Sequence, residues 1–222
     1  MLRCHYYHII SKVTLCSLII ITIILGISNL SIVLSINKDI DLDSISFEYF
    51  ANTFETIKMF SVILISFLFG YSFAPENDSY SNFIVKICVS KDYFVIMKIL
   101  LLFLISLIYV IILMFLFYLI PFVVGIIIDL KYLCNFLYLL VILNYYGLFS
   151  AILVCYYRNI YLLLISILLY IISNAEITDK KIINFIFLVE RNNDINSLIC
   201  LGFIFCLVLG LVVVIIYRIL DK

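Results

Sequence analysis

Apolar runs recur along the chain and are separated by short polar breaks. They cover residues 13–36, 56–74, 93–120, 132–157, 159–173 and 197–217. A helix needs about 20 mainly apolar residues to cross a bilayer. It also satisfies its own backbone hydrogen bonds, which lipid cannot do. Strict apolar–polar alternation, the mark of a membrane β-barrel, is absent from the runs. The pattern therefore predicts an all-α integral membrane protein: six transmembrane helices in a single domain over residues 1–222. The third run continues past Pro121 and Gly125 to Ile128. That is short for two spans and a turn, so it predicts one long span, kinked or ended near Pro121. The fifth run is short and is parted from the fourth only by Arg158 and Asn159.

Composition agrees with lipid as the solvent. Of 222 residues, 67% are hydrophobic and 13% charged, against about 25% charged in a soluble domain. The net charge is zero, so no basic surplus points to nucleic acid. The 7 cysteines form no CxxC pair and read as small apolar residues rather than disulfides or metal ligands. The first apolar run outlasts a signal-peptide core of about 7–15 residues and reads as a retained span.

Basic residues orient the spans. With both termini cytosolic, the cytosolic side holds eight basic residues (Arg3, Lys12, Lys86, Lys91, Lys98, Arg158, Arg218 and Lys222) against four acids. The outer side, with Lys58 counted in its first loop, holds six basic residues against ten acids. The chain is thus expected to be a multi-pass protein of the plasma membrane. The first outer loop, "NKDIDLDSISFEYFANTFET", alternates Asp39, Asp41 and Asp43. It reads as a solvated loop; as a cation site it lacks the glycine and final Glu of an EF-hand. The second outer segment, 174–196, contains "IINFIFLV". Eight residues cannot span, so this piece lies at the interface, is tucked against the bundle, or forms an outer gate.

Chemistry is sparse. GxxxxGK[ST], HExxH and GxSxG are all absent, and the two histidines, His5 and His8, precede the first span. No enzyme activity or cofactor is expected in the chain itself. The middles of the runs carry almost no charge, which disfavours an ion-coupled pump. Asn135, Asn144, Gly147 and Ser150 are the polar or small positions of the fourth run; they pack helices or line a pathway. Gly202 and Gly210, eight apart, form a small-residue face suited to a neighbouring helix.

The polar interruption "SFAPENDSYSNFIVKICVSKDYFVIMK" starts at Ser72. Pro75 stops the second span, and Asn77, Asp78 or Ser79 can cap a new helix. Phe83, Ile84, Ile87 and Cys88 share one face of it. This predicts a short amphipathic cytosolic helix between spans two and three. It either rests on headgroups through its lysines or docks a partner.

The segment resembles the membrane subunit of ABC exporters of the type-2 permease family. The matching positions are Gly70 and Phe73 before the break, Glu76 after it, the helix from Ser79 to Ile87, Ser90-Lys91, and Lys98 at the third span. Lys91 stands where that family usually has Arg, and "DSYSN" replaces its Gly-Thr. The resemblance implies an ATPase-docking role for Glu76, Ser79, Phe83, Ile84, Ile87, Ser90, Lys91 and Lys98. It implies a separate ABC ATP-binding subunit that carries ATP and Mg, and a second permease subunit as homo- or heterodimer. The function would be ATP-driven export of a peptide, antibiotic or lipid-like molecule. The rival expectation is a non-transporting polytopic protein: a scaffold, sensor or bacteriocin-immunity factor with no ATPase partner.

Overall fold

The computed structural model describes residues 12–35, 42–74, 91–174, 186–188 and 194–219. Among these the regular structure is helical. The α-helices are α1 (Lys12–Ser35), α2 (Leu42–Ser72), α3 (Lys91–Val123), α4 (Leu133–Tyr157), α5 (Leu163–Asn174) and α6 (Ile195–Ile219). Single 3₁₀ turns, Leu130–Tyr132 and Ile160–Leu162, lead into α4 and α5. Five stretches, in α1, α2, α3, α4 and α6, are long and apolar enough to cross a membrane.

Two sequence expectations need correction. The acidic stretch before residue 56 is largely helix, because α2 begins at Leu42. Ile45, Ser46, Tyr49, Thr53, Phe54, Ile57, Lys58 and Ser61 are all buried. They recur at helical spacing, so one face packs on protein while Glu48 and Glu55 lie on the other. Glu55 and Lys58, expected in a loop, are thus part of the second span. Asp39 and Asp41 lie outside the described residues; Asp43 falls within α2. The second correction concerns the fifth run. Its helix, α5, has 12 residues, about 18 Å at 1.5 Å per residue, against a hydrocarbon core of about 30 Å.

α3 is one long helix, and Pro121 lies inside its last turn. Proline has no N–H, so the carbonyl four residues back loses its helical partner. That carbonyl, on Phe117, instead accepts from the Tyr49 hydroxyl at 2.8 Å. The Tyr49 hydroxyl oxygen is also in close contact with the side-chain amide of Asn29 on α1, so one phenol joins α1, α2 and α3. The helix closes with paired bonds, Ile126 N to Pro121 O (2.9 Å) and Gly125 N to Phe122 O (3.0 Å). The left-handed φ of +86° at Gly125 suits that closure.

α4 is the central helix and packs mainly on α2 and α6. Phe54 meets Phe136 edge-on at 5.8 Å near one end of the bundle. At the other, Ala74, Val154 and Leu163 cluster. We call these the Val123 end and the Ser72 end.

Candidate functional site

The most unusual geometry lies beside the last described turn of α5. Its base is fixed at the Ser72 end: a Cβ on Gly70 would come 2.9 Å from Leu163 Cβ. Counting from that contact, Asn174 lies about 16 Å along α5, roughly halfway across a bilayer. There Ser173 Oγ is 3.1 Å from the Tyr146 hydroxyl, which also donates to Phe187 O at 3.1 Å. Tyr145 donates to Ile186 O at 2.9 Å, and Tyr138 to Leu188 O. Three hydroxyls of α4 thus serve three consecutive carbonyls. Irregular backbone at membrane depth is tolerated when protein groups satisfy it in this way.

Leu188 completes the clamp. It is 1% exposed, and its φ of +54° is costly for a residue with a side chain. Its Cδ1 would lie 3.2 Å from a Cβ on Gly202, and Val141 Cγ1 would lie at 2.1 Å. Gly202 therefore packs on a neighbouring helix, as its spacing suggested, and that helix is α4 of the same chain. Gly210 has nothing within 4 Å. Of the readings of "IINFIFLV", residues 186–188 are tucked against α4 and α6; the rest of that piece lies outside the described residues.

A charged pair stands at the same depth. Lys58 is twelve residues, about 18 Å, along α2 from Gly70, level with the end of α5. It is 3% exposed and meets Glu55 Oε1 at 2.6 Å. The Tyr170 hydroxyl lies within electrostatic range of Glu55, and the Tyr146 and Tyr170 rings meet edge-on at 5.1 Å. The expectation of almost charge-free spans is thus corrected. Counting apolar runs missed this pair because it lies on an amphipathic stretch; helical periodicity over 45–61 was the signal that could have placed it.

The polar positions of the fourth run are packed. Asn144, 2% exposed, accepts from Ser106 of α3 at 2.9 Å and donates to Leu140 O at 2.8 Å. Gly147 receives the Phe69 ring, 2.8 Å from where a Cβ would sit. Ser150 Oγ, buried without a hydrogen-bond partner, is 2.6 Å from the position a Cβ on Gly70 would take. Asn135 is buried near the start of α4.

At the Ser72 end, Lys98 places its ammonium 4.5 Å from the Phe73 ring centroid and 5.7 Å from that of Phe94. It is 4% exposed. Gly70, Phe73 and Lys98 therefore occupy the packed bases of α2 and α3. Lys91 is the first residue of α3. Glu76, Ser79, Phe83, Ile84, Ile87 and Ser90 lie outside the described residues, as does the helix expected there. Arg218 Nε of α6 approaches Asp92 Oδ2 of α3 at 3.9 Å.

Among the described residues, no three His, Cys, Asp or Glu side chains cluster as metal ligands would. Cys16, Cys134, Cys155, Cys200 and Cys206 are free thiols. The chain matches no protein-family model, no curated protein and no solved structure.

Proposed function

We propose that the chain is the membrane-spanning permease subunit of an ATP-driven exporter, its ATPase supplied by a separate subunit. The observation that carries this reading is the meeting of Phe73 and Lys98. They flank the 75–90 segment, are twenty-five residues apart, and pack within 4.5 Å. A force applied to that segment from the cytosol would enter α2 and α3 together. Both continue into long helices, and α2 reaches the charged pair beside the end of α5. The tyrosine clamp supplies a movable element at the far side of that path: releasing three hydrogen bonds would free residues 186–188. ATP would act by differential contacts with two states of the permease, as any ligand-driven shift must.

The centre of a single chain is filled by Phe54, Phe69, Tyr138 and Tyr146, so the transport path would run between two copies or between this chain and a relative. The same filled centre favours the rival reading, a non-transporting scaffold or immunity factor, if the chain acts alone. Co-purification in mild detergent separates them. A permease brings down an ATPase bearing a phosphate loop, and Glu76→Lys combined with Phe83→Asp releases it from a chain that stays folded. Repeated recovery without such an ATPase overturns the proposal.

A further inference from the structure

We propose that Lys58 is a binding residue for the anionic head of an amphiphile that enters from the bilayer, with Glu55 as the counter-ion it displaces. An ammonium has three donors and no acceptor. Lys58 uses one, to Glu55 Oε1 at 2.6 Å; the Phe54 ring centroid lies 5.9 Å away. Burying an ammonium against a single exposed carboxylate is costly, and replacing such a pair by apolar residues is often neutral or stabilising. The side chain of Glu55 is 63% exposed while that of Lys58 is 4% exposed. The pair is thus asymmetric: the cation is held inside, and its partner can swing out.

The surroundings fit an anionic head on an apolar tail. One turn from Glu55, Met59 is 44% exposed, and Phe60 beside it 43%; both lie on a face that lipid would cover. A tail can follow these side chains while the head reaches Lys58. Lys58 faces the bundle interior, as charged side chains that mark ligand paths inside a membrane do, and Glu55 beside it faces outward.

This inference deepens the transport reading by giving the cargo a charge class. It is tested on the isolated full-length chain without any ATPase, so the two can fail separately. The chain in dodecyl maltoside is titrated with radiolabelled oleate in one arm and dioleoyl phosphatidate in the other, with oleyl alcohol as neutral competitor. Saturable binding of either anion is expected, and oleate alone or phosphatidate alone identifies a carboxylate or a phosphate. Lys58→Met should weaken binding at least tenfold. Glu55→Gln should tighten it several-fold, an effect that a merely structural ion pair would not produce. Oleyl alcohol should not compete. Absence of saturable binding, wild-type affinity in a folded Lys58→Met chain, weaker binding in Glu55→Gln, or displacement by oleyl alcohol each overturns the proposal. If Lys58→Met does not fold, the last two measurements decide.

Discussion

The helices α2 and α6 solve opposite problems. Over 18 residues of its spanning stretch, 67% of the residues of α2 are buried inside the protein, against 17% for α6. Yet α6 is far the more hydrophobic. In water the buried helix would be the oilier one. Here lipid takes that role, and apolar side chains such as Ile204, Leu207 and Leu211 face outward. The protein-facing helix instead carries Ser61, Ser66, Ser72, Lys58 and Gly70. Between helices in a membrane, close packing and hydrogen bonds replace the hydrophobic effect.

The sharpest way to break this comparison uses two glycines of one helix. Gly202 faces Val141 and Leu188, while Gly210 is open. Gly202→Leu should destabilise the chain by about 3 kcal/mol through overpacking. Gly210→Leu should stay within about 0.5 kcal/mol. Reversible unfolding in mixed detergent micelles measures both, and equal effects would remove the division into protein and lipid faces. A smaller effect comes from the clamp. Replacing Tyr138, Tyr145 and Tyr146 together by Phe should cost about 2 kcal/mol, from roughly 0.6 kcal/mol per membrane hydrogen bond. A cysteine placed at Phe187 should then label faster, whereas unchanged labelling would mean the segment is held by Leu188 alone.

The smallest effect lies outside the spans. The Asp129 carboxyl is held below its ordinary range by hydrogen bonds from Lys131, chiefly from its side chain. A depressed carboxylate contributes stability above its unfolded value and loses it as pH falls through the folded one. Thermal melting from pH 5 downward should show a slight acid-side loss in the wild type that Asp129→Asn lacks. The group is fully exposed, so the loss is small.

The legible part of the fold was the part that touches lipid. The spans within α1, α3, α4 and α6 follow from apolar runs, because hydrocarbon selects for apolarity all along a segment. The start of α2 was not read. From Ile45 to Ser61 it buries Ser46, Thr53 and Lys58 among apolar residues, and a protein-facing stretch need not be uniformly apolar. Asn144 and Gly147 stood out as polar or small residues in an apolar run, but Ser106 and Phe69 as their partners depend on long-range packing. The clamp was equally hidden: Tyr138 and Leu188 are fifty residues apart, and a tyrosine hydroxyl gives no sequence sign of which carbonyl it will meet.

The bond network around Tyr49 bears on how the chain is made. Asn29, Tyr49 and Phe117 belong to α1, α2 and α3, all of which are translated before α4, so these can lock together early. Further along α2, Ser61 meets Tyr109 of α3 at 3.2 Å and Ser72 bonds back to Leu68 O, but the face near Gly70 has no such provision. Its Gly70 and Phe69 meet Ser150, Leu163 and Gly147 only when α4 and α5 arrive, more than sixty residues after α2 has ended. Until then the least oily of these spans must wait in the bilayer with that face uncovered. Biogenesis of this protein is therefore expected to lean on an insertase that shelters α2 through that interval.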